Sequence, residues 1–112
     1  MAEAVTYSFE NIIAWQKAQA FVILSYRVTS HFPVEEKFVI VSQFRRAAVS
    51  IEANIAEGYK RLGKQDKLHF FNVSQGSLEE CRNYILLSRD LYYLQSGELR
   101  SFLKQLKMQA DF

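Results

Sequence analysis

The sequence predicts an all-α protein folded as an antiparallel up-and-down four-helix bundle, and three observations carry that prediction. Apolar residues recur at steps of three and four over long stretches, the period of a helix with one buried face. Only one proline and four glycines interrupt the 112 residues, so few places can hold a turn. The breaks that matter, Phe32-Pro33, Gly63 and Gln95-Ser96-Gly97, are short, and short connections make successive helices antiparallel neighbours. A chain of this length is expected to form one domain, residues 1–112.

The residues beside each break place the helices at about 11–31, 34–62, 64–94 and 98–111. Glu35 and Glu36 follow Pro33, Asp66 follows Gly63, and Ser96 can cap what comes after it. Acids and hydroxyls are favoured at a helix start, where backbone N–H groups lack partners. The first helix is apolar nearly all round: Ile12, Ile13, Trp15, Ala18, Phe21, Val22, Ile23, Leu24 and Val28 leave Lys17 as the only charge between Ile12 and Tyr26. Three partner helices cannot easily cover such a helix. Trp15, Phe21, Leu24 and Val28 are therefore expected in the core or at a subunit interface, and the chain is expected to self-associate.

In the second helix Val41, Phe44, Ala48, Ile51, Ile55 and Tyr59 fall on one face, the core seam. The third carries Phe70, Ser74, Ser77, Leu78, Cys81, Tyr84, Ile85 and Ser88, small residues alternating with large ones so that a neighbour can come close. At roughly 42–46 Å these two helices favour an elongated bundle. The last helix is short, and its Arg100, Lys104 and Lys107 read as a solvated face near a C-terminus that favours cations.

Composition narrows the function. Fourteen basic residues against twelve acidic ones give a net charge of +2, too mild to name a partner without knowing where the charges cluster. One cysteine, Cys81, cannot form an internal disulfide, and Met1-Ala2-Glu3-Ala4-Val5-Thr6 has neither a basic nor an apolar leader region, so a cytoplasmic location is expected. The apolar stretch from Ala18 to Tyr26 falls well short of the ~20 residues a membrane span needs. His31 and His69 do not cluster with Cys81, no carboxylate group has metal-ligand spacing, and the isolated glycines form no phosphate-cradling loop. The expectation is a protein without enzymatic activity, metal or cofactor.

Two polar features stand out. Gln43, Arg46, Ser50, Asn54, Glu57 and Arg61 recur at three and four beside the apolar seam of the second helix, a stripe suited to an interhelical or intersubunit network, an exposed face or a ligand surface. Basic residues gather at Arg45-Arg46 and at Lys60, Arg61, Lys64 and Lys67 around the next turn, where they could meet phosphates, with Tyr59 beside them to stack on an unpaired base.

The segments Ala14-Trp15-Gln16-Lys17-Ala18, Arg45-Arg46-Ala47-Ala48-Val49-Ser50-Ile51, Asn54-Ile55-Ala56-Glu57-Gly58 and Gly76-Ser77-Leu78-Glu79-Glu80 give the chain a further signature. In these it resembles the 23S ribosomal RNA intervening-sequence proteins, also labelled S23 ribosomal protein, over roughly residues 9–94. The sequence departs from that pattern at Glu52, where many relatives have proline, and at Ser74-Gln75, where Ala-Arg is common. The resemblance implies a bacterial, cytoplasmic four-helix bundle assembling as a ring, similar to members seen as pentamers, with nucleic acid as the partner class. The expected function is weak RNA or DNA binding by a homo-oligomer through Arg45, Arg46, Lys60, Arg61, Lys64 and Lys67; the alternative is a protein-interaction scaffold with no nucleic-acid role.

Overall fold

Helices Ile13–Thr29 (α1), Ile40–Lys60 (α2), Lys64–Asp90 (α3) and Ser96–Ala110 (α4) make up most of residues 8–110, the part of the chain that the computed structural model describes. No strand occurs among the described residues. Each helix packs on the next and α4 returns to α1, so the order in space follows the order in sequence. The most extensive contact joins α2 to α3. None of the described helices is long and apolar enough to cross a membrane.

The two seams read from the sequence meet face to face. Val41, Phe44, Ala48, Ile51 and Ile55 of α2 and Leu78, Cys81 and Ile85 of α3 are buried, and Tyr59, Phe70 and Tyr84 close the edges half-buried. The serines let the backbones approach and then bond across the gap. Ser74 Oγ donates to the Ile51 carbonyl at 2.9 Å, and Ser77 Oγ to Ser50 Oγ at 2.8 Å. Burying a hydroxyl without such a partner costs free energy. The short α4 does more than present a solvated face. Its Arg100, Lys104 and Lys107 are exposed, but Phe102 and Leu106 on the other side are fully buried, with the Phe102 ring 5.8 Å from Phe21 and 5.5 Å from Phe44.

Helix α1 has a buried face after all. Ala18, Phe21, Val22, Ser25, Val28 and Thr29 point inward, Trp15 and Leu24 are half-buried against the core, and the Trp15 ring meets Phe9 edge-on at 5.2 Å. Its outward side is nonetheless apolar: Ile13 is 65% exposed and Ile23 is 49% exposed.

The helix ends differ from expectation for local reasons. Before α1, Ile12 is extended and Phe9–Asn11 forms a separate 3-10 turn, whose Glu10 N–H donates to Ser8 Oγ. Glu35 and Glu36 do open a helical turn, Val34–Glu36, but it is 3-10 and stops short of α2, which begins at Ile40 rather than 34. The Tyr93 hydroxyl holds that turn by donating to Glu36 at 2.8 Å. Helix α4 starts at Ser96, two residues early, because the Glu98 carboxylate reaches back to the Gln95 N–H at 2.8 Å. Its expected last residue, 111, lies outside the described residues, as do 1–7 and 112.

Helix α3 stops at Asp90, four residues before the expected 94. Tyr92 adopts a left-handed backbone, φ 62°, while the N–H groups of Tyr92 and Tyr93 donate to Arg89 and Ser88 carbonyls at 3.0 and 2.9 Å. This is the two-bond closure that normally uses glycine. The Tyr92 side chain is 93% exposed, so it gives nothing back for the strain. Tyr92→Gly is expected to stabilise the fold by about 1 kcal/mol, read as a rise in the urea midpoint at constant slope.

Candidate nucleic-acid interface

The six cations lie in two places, Arg45 and Arg46 within α2 and the other four around the α2–α3 turn. From Arg46 to Lys60 the helix rises about 21 Å, so Arg45 and Arg46 do not join the other four in one patch on a single chain.

Arg45 is occupied by the fold. Its Nε donates to Thr29 Oγ1 at 2.9 Å, a terminal nitrogen donates to the Tyr26 carbonyl at 3.1 Å, and the guanidinium lies 4.5 Å from the Tyr26 ring. It closes the C-terminal end of α1, where positive charge is favoured. Lys67 does the same for α2: its Nζ donates to the Gly58 and Tyr59 carbonyls at 3.2 and 3.0 Å. A lysine in a helix's first turn runs against the dipole.

Arg61 is shared. Its guanidinium sits 4.8 Å from the Phe70 ring and 3.5 Å from the Glu57 carboxylate, both on an exposed surface where the ion pair is worth little. Arg46, Lys60 and Lys64 are exposed and make no hydrogen bond or ion pair among the described residues. The α2–α3 turn therefore presents Lys60, Arg61 and Lys64 to solvent. They surround the start of α3, where Gly63 can offer no side-chain cap to the free N–H groups.

The polar stripe divides as well. Gln43 accepts from the Tyr84 hydroxyl at 2.6 Å. Asn54 Nδ2 donates to the carbonyl and to Oγ of Ser50, at 2.8 and 3.0 Å, and Ser50 Oγ in turn receives Ser77. Gln43 and Ser50 thus tie α2 to α3, Asn54 bonds back within α2, Glu57 pairs with Arg61, and Arg46 faces solvent. Burial, with some help from Glu80, raises the Tyr84 hydroxyl above its ordinary range.

No group of three or more His, Cys, Asp or Glu gathers among the described residues. His31 and His69 are exposed, the latter edge-on to Phe70. Burial, then the Glu80 charge, pushes the Cys81 thiol up to about 12, so at neutral pH it is a packed thiol and no nucleophile. An apolar cavity of about 440 Å³, lined by Ile12, Ile51, Ile55, Phe71 and Leu78 among others, lies beside α2 and α3.

Four short-looped helices around one seam, with cations at a turn, define the chain as an antiparallel helical bundle with a basic end. It belongs to the 23S rRNA-intervening sequence protein family, whose profile matches residues 10–110. A crystal structure of a protein of unknown function from the S23 ribosomal protein family of Bacteroides thetaiotaomicron superposes with a TM-score of 0.77 at 19% identity, covering 87% of this chain and 91% of that one. At that identity the likeness is one of fold. No curated protein matches the sequence.

Proposed function

We propose that the chain is a non-enzymatic, self-associating bundle of the bacterial cytoplasm that holds RNA or DNA weakly through the α2–α3 turn. The observation that carries this reading is the exposure of Lys60, Arg61 and Lys64 within five residues, at a helix start whose N–H groups also favour anions. Arg46 is a separate exposed cation. Lys67, committed to the end of α2, holds the turn's framework, whereas Arg45 closes α1 at the other end of the bundle. Self-association, as the ring of five that family resemblance implies, would repeat the turn and add weak contacts by multivalency.

The test is fluorescence anisotropy of labelled RNA and DNA with nuclease-treated protein. Phosphate contacts by three cations lower the affinity several-fold or more between about 50 and 200 mM salt. Reversing Lys60, Arg61 and Lys64 to glutamate should abolish retention. Absence of saturable binding at micromolar protein would refute the reading.

A protein-interaction scaffold is the second reading, and the opposite end of the bundle favours it. There Phe38 is 83% exposed beside exposed Val34 and Val39, and Tyr92 stands free. Under that reading the triple charge reversal leaves protein partners bound.

A further inference from the structure

Helix α3 carries an unused face. His69, Val73, Gly76, Glu80, Asn83 and Leu87 are all exposed, and their steps of four and three align them along one side. Gly76 sits in the middle of this 27-residue helix, and among the described residues nothing lies within 4 Å of the point where a Cβ would stand. Glycine is unfavourable inside a helix, and no neighbour among the described residues accounts for it. By contrast, Gly58 is filled against Phe70 and Phe71.

A second unused face lies across the molecule. Ile13, Gln16, Ala20, Ile23 and Arg27 repeat the same steps on the outside of α1, with a small residue again at the centre. Beside them runs a groove of about 570 Å³ between α1 and α4, to which Lys17, Lys104 and Met108 contribute. Helix α1 has no acidic residue, and the one acid of α4, Glu98, is turned to the Gln95 N–H at the far end. Ile13, Ala20 and Met108 give the groove its apolar surface, glutamines and Ser101 line the rest, and its charged side chains, Lys17 and Lys104, are both cationic. The α3 flank brings two apolar residues and the Glu80 carboxylate, the opposite sign.

We propose that the α1–α4 groove of one copy receives the Gly76 flank of α3 from a second copy, the missing side chain allowing the two helices to approach closely. The two surfaces differ, so the contact is head-to-tail, leaves one of each free on every pair, and repeats until the chain of copies closes. This rests on the self-association proposed above and names the surfaces that make it.

The test is the solution mass of the full chain at micromolar concentration, by light scattering and native mass spectrometry, for wild type, Gly76→Gln and Ala20→Gln, with helicity followed by circular dichroism. Glutamine is a better helix former than glycine, so Gly76→Gln keeps the fold while blocking the approach. Wild type is expected as a multimer and each variant as a monomer of unchanged helicity. An equimolar mixture of the variants should give dimers, because one retains the groove and the other the flank. If either variant keeps the wild-type mass, or the mixture stays monomeric, this interface is overturned while self-association stands. A monomeric wild type overturns both.

Discussion

Phe44→Ala is expected to cost about 3–5 kcal/mol, a large part of the stability of a small domain, and to shift the urea midpoint down at unchanged slope. Phe44 is fully buried and lies between the helices that must be held together: its ring is 5.5 Å from Phe102 on α4 and 6.1 Å from Tyr84 on α3. Truncation removes those contacts and leaves a void. Phe38→Ala supplies the control, since that ring is already in solvent and its loss should leave the midpoint nearly unchanged.

Gly58→Val is expected to destabilise by about 1–3 kcal/mol, seen as a lower Tm. A Cβ at this position would stand 2.9 Å from Phe71 Cε1 and 3.2 Å from Phe70 Cβ. The Phe71 ring can swing away, but Phe70 Cβ is fixed to the α3 backbone, so the branched side chain forces α2 and α3 apart. The separation would also stretch the Lys67 bonds to the Gly58 and Tyr59 carbonyls. The gain in helix propensity does not offset this.

Much of the fold was legible because it rests on periodicity. Val41, Phe44, Ala48, Ile51 and Ile55 are buried as their spacing requires, and Ser74, Ser77 and Ser88 pack as the small members of the α3 seam. The errors fall at the ends, where individual bonds rather than periodicity decide. Tyr92 takes a conformation that sequence reading reserves for glycine, and the Tyr93–Glu36 bond joins residues that no local pattern connects. The same division holds for the candidate site. The clustering of Lys60, Arg61 and Lys64 is local and was readable. The commitment of Arg45 to Thr29 and Tyr26 depends on how α1 lies against α2, which charge counting cannot supply.

That commitment changes what a mutational scan of the basic residues measures. Neutralising Arg45 or Lys67 unties a helix end, so each substitution lowers the fraction of molecules that are folded, and apparent affinity falls in the same proportion even if neither side chain ever touches a phosphate. Arg46, Lys60 and Lys64 have no such structural duty among the described residues. For these three of the six, a weakened titration, at unchanged unfolding midpoint and with a shallower dependence on salt, reports the loss of a contact with the ligand.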